Sequence, residues 1–310
     1  MNANAPVAKP DLASMTFKLH RKQALWVMVL ATLLWSLAGV VSRQITQAQS
    51  FEVTFWRSFF TLVSLSILLP VLKGRRFLLN MPWRDTSFWL SGMCWSVMFT
   101  AFMLALTMTS VANVLITMAM GPVFTALLSR FVGGRRLALH TWLAIAVAGL
   151  GMAFMFVSQV QIDDGLHLKG MLVALSVPLA GAIQWNLTHH LQAAAQPSDF
   201  MPAVWIGAML SSIYTAPLAL PGMAGSTDLV WLAALGLFQL AVPCLLAVWA
   251  SQVLKSHEVA LLALLEVLFG IAWAWWGANE APTLSVVMGG ALVLGALALN
   301  EVTSWRSSNE

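Results

Sequence analysis

The sequence predicts an all-α integral membrane protein in which ten transmembrane helices form two inverted five-helix repeats. Three observations carry this: the scarcity of charge, the spacing of apolar runs, and the one-sided placement of basic residues. Of 310 residues, 59% are hydrophobic and 9% charged, against about 45–50% and about 25% in soluble domains. Most of the chain therefore sits in lipid, which excludes a soluble globular protein.

A spanning helix needs roughly 20 apolar residues, and that ruler gives ten runs separated by short polar or Pro/Gly breaks. They are 25–46, 51–72, 86–107, 110–131, 138–158, 169–191, 200–221, 228–251, 257–277 and 283–303. Residues 1–24 read as a flexible cytoplasmic tail, 25–158 as the first five-helix repeat, 159–168 as an outside loop, 169–303 as the second repeat, and 304–310 as a second cytoplasmic tail. The run from Leu25 to Val41 is followed by Arg43 and Gln44 rather than by the small residues of a cleavage site, so the first span reads as an uncleaved anchor.

With the N-terminus inside, thirteen Lys and Arg residues fall on the inside, Arg43 and Lys169 fall outside, and Arg57 lies within a span. Retention of positive loops on the cytoplasmic side accounts for that asymmetry. It places both termini in the cytoplasm and the protein in a bacterial inner membrane, and it leaves no basic patch for nucleic acid. Cys94 and Cys244 lie inside apolar runs and read as small core residues.

Spans one and six align at an offset of about 150 residues, Trp35-Ser36 over Trp185-Asn186, and the stretch containing Pro122 in span four lies over Glu266-Val267 in span nine. Because each half has an odd number of spans, the second is upside down relative to the first. Inverted halves meeting at the bilayer midplane are a transporter architecture. Small residues four apart, Ala144 with Ala148, Ser285 with Gly289 and Ala291 with Gly295, predict close helix contact in spans five and ten.

The polar residues within spans are the candidate substrate-binding groups. Glu266 is the only acidic residue deep in a span; it reads either as a proton carrier or counter-charge for a cationic group, or as a carboxyl that locks span nine to a neighbour. Arg57 either snorkels to the outer surface or clamps a carboxylate or phosphate, and Glu52 either neutralises it in part or faces water. Trp35 and Trp185 sit at midspan, where their indoles either line a cavity or pack the helical core. Gln184, Asn186, His189 and His190 make the most polar stretch of any span, and Asn186, His189 and His190 share one helix face at i, i+3, i+4 spacing. His189 is a second proton-coupling candidate beside an interfacial reading. Ser36, Asn113 and Gln239 are weaker candidates, able to bond either a substrate or another helix. Pro122, Pro178 and Pro243 predict midspan breaks in the backbone ladder. Trp273, Trp275 and Trp276 read as an aromatic belt.

No phosphate loop, GxSxG, HExxH or dinucleotide fingerprint is present in the sequence, which predicts a protein that is not an enzyme and uses neither metal nor cofactor.

The motifs LLWSLAGVVSR, FEVTFWRSFF, ANVLITMAMGPVFTALLS, ALLALLEVLFGIAWAWWGANEAPT and GGALVLGALAL occur in this order over nearly the whole chain. In order and spacing they resemble the drug/metabolite transporter superfamily, specifically its EamA-type ten-helix carriers. The resemblance implies a two-times-five inverted repeat, a central cavity and alternating-access transport of a small metabolite, often outward, driven by proton or substrate gradients. Many members carry Glu-Pro where this chain has Glu266-Val267, which predicts that a helix break there is lost or moved. The sequence reading is a secondary carrier exporting a small polar metabolite, an amino acid or amine, acting as a monomer or homodimer with the bilayer, the substrate and protons as partners. Organic-cation efflux is the alternative, and a non-transporting receptor a more distant one.

Overall fold

A computed structural model describes residues 19–42, 44–48, 50–74, 77–79, 81–109, 111–131, 137–157, 165–192, 199–219, 222, 224–278 and 283–309. Among them every regular element is a helix. These are α1 (Arg21–Trp35), α2 (Ala38–Ser42), α3 (Ser50–Lys73), α4 (Thr86–Met108), α5 (Val111–Met118), α6 (Gly121–Phe131), α7 (Leu139–Phe156), α8 (Gly165–Gln192), α9 (Met201–Ala219), α10 (Ser226–Ala234), a π-helical turn (Leu235–Ala241), α11 (Val242–Ser251), α12 (Ser256–Ala263), α13 (Leu265–Ala278) and α14 (Leu284–Asn309). Seven helical stretches are long and apolar enough to cross a membrane, and Leu139–Met155 and Leu284–Asn300 form two shorter apolar helices.

Local signals explain where several of these begin and end. Asp85 caps α4 by accepting a hydrogen bond from the Ser87 N–H at 2.8 Å, and Glu258 reaches back to accept from the Lys255 N–H at 3.0 Å at the start of α12; each satisfies an N–H that the helix itself cannot. Gly74, at φ 88°, follows α3 in the left-handed region that side chains disfavour. Of the tail expected at 1–24, residues 1–18 lie outside the described residues and α1 already begins at Arg21; of the loop expected at 159–168, residues 159–164 lie outside them and α8 begins at Gly165; the tail expected at 304–310 is helical, with α14 running to Asn309.

The expected spans need four corrections in their interiors. The first is not continuous over 25–46: α1 stops at Trp35 and α2 ends at Ser42. The Ser36 hydroxyl donates to the Leu33 carbonyl at 2.7 Å at this break, a back-bond that competes with the helical ladder. The fourth span divides between α5 and α6 just before Pro122, which serves as the second residue of α6. In the ninth, the break is moved rather than lost: it falls at Leu264, whose N–H bonds the Leu261 carbonyl at 3.1 Å in a tighter turn. The break predicted at Pro178 is absent, because α8 runs through it without interruption. Pro243 instead follows the π turn. It has no N–H to offer the Gln239 carbonyl, and the Val242 N–H bonds Leu237 in the wider register.

The helices pack in a definite pattern: α1 on α11, α12 and α13; α8 on α4, α5, α6 and α12; α3 on α9 and the π turn; α4 on α9; α6 on α12; and α7 on α14. The α7–α14 crossing is backbone to backbone. A Cβ on Gly151 would lie 2.7 Å from the Gly289 carbonyl oxygen, so only glycine permits this approach. Gly289 is thus in the contact, as expected, whereas Ala291 and Gly295 are exposed and do not serve it.

Polar ties mark the two ends of the bundle. At the end that carries Arg21, Lys73 and Lys255, called here the basic end, Arg21 pairs with Glu258 at 2.9 Å and Lys73 with Asp199 at 2.9 Å. At the opposite end, the Asp228 carboxylate accepts from the N–H groups of Thr46, Gln47 and Ala48 at 3.2, 2.8 and 2.9 Å, and Glu52 accepts from the Ala224 N–H at 2.6 Å. Two buried carboxylates, one in the first turn of each helix, therefore bind α10 to the loop before α3 and α3 to the loop before α10.

Candidate functional site

The breaks and the π turn surround one cavity of about 150 Å³, lined from α1, α3, α4, α5, α6, α8, the π turn, α11, α12 and α13. That is room for a benzene-sized group. Its wall is mostly apolar and aromatic, with Trp35, Trp95, Phe99, Phe102 and Trp185 on it. Trp95 and Trp185 meet edge to face, ring centroids 5.7 Å apart at 85°, which is the arrangement favoured by the ring quadrupoles.

Two charged residues share this cavity. Arg57 is 2% exposed, so it does not snorkel; α3 carries it into the bundle, where its Nη2 donates to the Phe99 carbonyl at 2.8 Å and its Nη1 lies 3.5 Å from Gln239 Oε1. Among the described residues its Nε has no acceptor, and neither does Trp95 Nε1. A buried donor left unmatched costs about 1–3 kcal/mol, and two of the three unmatched buried polar atoms among the described residues belong to this cavity wall. Glu266 lines the cavity in the first turn of α13, just past the Leu264 break. It interacts electrostatically with Arg57, but among the described residues the two do not form a contact ion pair. Glu52 accepts from the Ala224 N–H at the end of the bundle opposite the basic one.

Of the residues singled out in the sequence, the structure brings Trp35, Arg57, Trp185, Gln239 and Glu266 to the cavity wall. The others hold helices together. Ser36 accepts from Trp273 Nε1 at 3.0 Å, so Trp273 is a tie between α13 and the α1–α2 break and not part of a belt, unlike the exposed Trp275 and Trp276. Asn113 donates to the Thr109 hydroxyl at 2.7 Å. Gln184 accepts from Ser91 at 2.8 Å and donates to Thr188 at 3.1 Å. Asn186 lies one residue below the cavity-lining Trp185 and joins three helices: its Oδ1 accepts from Ser129 and, at 3.2 Å, from Ser256, while its amide donates to the Thr125 and Ala182 carbonyls at 3.1 and 2.9 Å. His189 lies towards the basic end, in electrostatic reach of the buried His257.

Sequence reasoning missed Trp95 and Cys244 as wall residues. Trp95 satisfies the midspan criterion applied to Trp35 and Trp185 but has no partner at the repeat offset. Cys244 sits in the first turn of α11 and lines the cavity together with Trp35. Among the described residues, no group of three or more His, Cys, Asp or Glu side chains is disposed to hold a metal.

The model of the EamA-like transporter family matches this chain twice, over residues 22–157 and 168–301. The chain belongs to the EamA-like transporter family. That places it in the drug/metabolite transporter superfamily, and makes this EamA-like protein a multi-pass membrane protein of a transporter family. A solved structure titled "Crystal structure of protein" superposes on it with a TM-score of 0.76 at 15% identity, covering 93% of this chain and 99% of that one. At that identity the likeness concerns the fold. Among the curated proteins compared, none matches the chain.

Proposed function

We propose that the protein is a secondary carrier that exports a small zwitterionic metabolite, an amino acid or close relative, across the inner membrane by alternating access through this cavity. The observation that carries the reading is the placement of the buried Arg57 and the half-buried Glu266, side chains of opposite formal charge, in one cavity whose remaining wall is largely apolar and aromatic. Intramembrane charges are costly and mark substrate or ion pathways. Here they offer complementary sites for the two ends of a zwitterion.

The architecture that goes with this reading is ten spans in two inverted halves, 25–158 and 169–303. Packing supports it. With span six counted as span one of the second half, α1 on α11 and α12–α13 has its counterpart in α8 on α4 and α5–α6, and α3 on the π turn has its counterpart in α9 on α4. The basic end, with its excess of Lys and Arg, is the cytoplasmic side on this reading.

Two clasps at matching repeat positions lie on either side of the cavity. Asn186 with Ser129 and Ser256 closes it towards the basic end; Ser36 with Trp273 closes it towards the other. Ser36 and Asn186 are 150 residues apart, the offset of the first alignment, and Ser129 and Trp273 are 144 apart, one residue short of the 145 that separates Pro122 from Val267 in the second. Releasing one clasp while keeping the other would expose the cavity to one side at a time.

An organic cation is the second reading, favoured by a carboxylate set among aromatic faces. Flux of amino acids and organic cations into sealed proteoliposomes, with and without an imposed pH gradient, tests both. Gradient-driven accumulation of an amino acid that is lost in Glu266→Gln supports a proton-coupled carrier of the proposed class. Accumulation of cations alone favours the second reading, and binding without flux under every gradient overturns both.

A further inference from the structure

Two N–H donors on the cavity wall are without acceptors, and they come from neighbouring helices. Arg57 Nε and Trp95 Nε1 are both sealed from water and bonded to nothing among the described residues, and both residues are 2% exposed and line the cavity. The bond from Arg57 Nη2 to the Phe99 carbonyl holds the guanidinium against α4 at 2.8 Å, one helical turn from Trp95. The indole is fixed in turn by its edge-to-face contact with Trp185 and a tilted contact with Phe99, centroids 5.7 Å apart in each case. The α3–α4 wall therefore presents a cationic donor and a neutral donor, both held in place and both unused.

We propose that Arg57 and Trp95 form a carboxylate subsite of the cavity, which takes the acid end of an apolar or aromatic zwitterion while Glu266 receives its ammonium group. The inference rests on the reading of this cavity as the transport site and adds to it which end of the substrate goes where. A carboxylate has two acceptor oxygens and one negative charge, which suits one cationic and one neutral donor. A phosphate would bring further negative charge into a cavity where Arg57 is already balanced by Glu266, and an unbalanced buried charge is penalised. A zwitterion adds no net charge. Its side chain would lie against Trp35, Phe102 and Met118, which complete the apolar wall. Both donors are closed off in the resting structure, so binding needs a small turn of the guanidinium and the indole towards the space they border.

Three probes separate the ends of the substrate: L-phenylalanine, phenethylamine, which lacks the carboxylate, and 3-phenylpropionate, which lacks the ammonium. Their binding to the purified full-length protein is measured by titration calorimetry for the wild type, Trp95→Phe and Arg57→Lys. The wild type is expected to bind L-phenylalanine at least about tenfold tighter than phenethylamine, the worth of one charge-assisted hydrogen bond. Trp95→Phe keeps a ring and loses the donor, so it is expected to weaken L-phenylalanine and 3-phenylpropionate by about tenfold and leave phenethylamine within about twofold. Equal weakening of all three probes, unchanged L-phenylalanine binding, or phenethylamine binding as tightly as L-phenylalanine to the wild type each overturns the subsite. Should Trp95→Phe fail to fold, the wild-type series and Arg57→Lys decide by the same ratios. No binding of any probe, together with no amino-acid flux in proteoliposomes, removes the transport reading and the subsite with it; flux with an unaltered probe ratio removes the subsite alone.

Discussion

The indole N–H of Trp273 donates to the hydroxyl of Ser36 at 3.0 Å, tying α13 to the point where the first span breaks. The same hydroxyl is committed to the Leu33 carbonyl, so one serine both interrupts its own helix and receives another.

Trp273→Phe keeps most of the packing and removes this tie. An interhelical hydrogen bond in a membrane contributes on the order of 1 kcal/mol, which corresponds to a severalfold change in an opening equilibrium. The measurement is the labelling rate of the cavity-lining Cys244 by a membrane-impermeant maleimide in a Cys94→Ala background. Labelling from the side opposite the basic end should rise about fivefold; an unchanged rate would remove Trp273 from the outer closure.

Asn186→Leu is the mirror experiment. It leaves Ser129 and Ser256 3.1 Å apart to bond each other but frees the Thr125 carbonyl and separates α8 from α6 and α12. Labelling of Cys244 from the basic side should increase while labelling from the other side stays level. A symmetric increase would mean general loosening of the bundle.

Arg57 and Glu266 should be coupled in stability as well as in binding. Removing one of two opposite charges that share a cavity leaves the other uncompensated, whereas removing both is far less costly. Thermal unfolding of the purified protein should therefore show a large fall for Arg57→Met and a partial recovery in Arg57→Met/Glu266→Gln. Additive losses would show that the two charges do not sense each other across the cavity.

Asp228 holds three consecutive backbone N–H groups, a bond set that no water replaces at 2% exposure. Asp228→Ala should lower the thermal unfolding midpoint and make residues 44–48 the first site of proteolysis, while Asp228→Asn, which keeps one acceptor oxygen, should lower it less. Retention of full protease resistance in Asp228→Ala would contradict the anchoring role.

Depth in the membrane was legible in the sequence, and helix face was not. Trp35, Trp185 and Glu266 are at midspan by counting alone and do reach the cavity. Asn186 is at nearly the same depth, yet the i, i+3, i+4 polar face it begins turns towards α6 and α12, because Ser129 and Ser256 lie there to meet it. Ser36 likewise met a tryptophan from another half of the chain. Such pairings depend on which helices become neighbours, and no single span encodes that. Prolines misled in the same way: Pro178 is accommodated within α8, whereas the Leu264 break occurs without a proline, next to the carboxylate that lines the cavity.

The π turn at 235–241 gives the eighth span one residue more per turn than the regular winding would use. Since each α-helical residue advances by about 100°, that surplus residue swivels α10 against α11 by roughly a quarter of a circle. Gly236 can thus face α3, where its carbonyl receives Thr61 at 3.1 Å, while Cys244 below still faces the Trp35 indole. Shortening the turn by a single residue would dial these two faces out of phase, leaving the span intact in length and hydropathy but with its lower half aimed at the wrong neighbour.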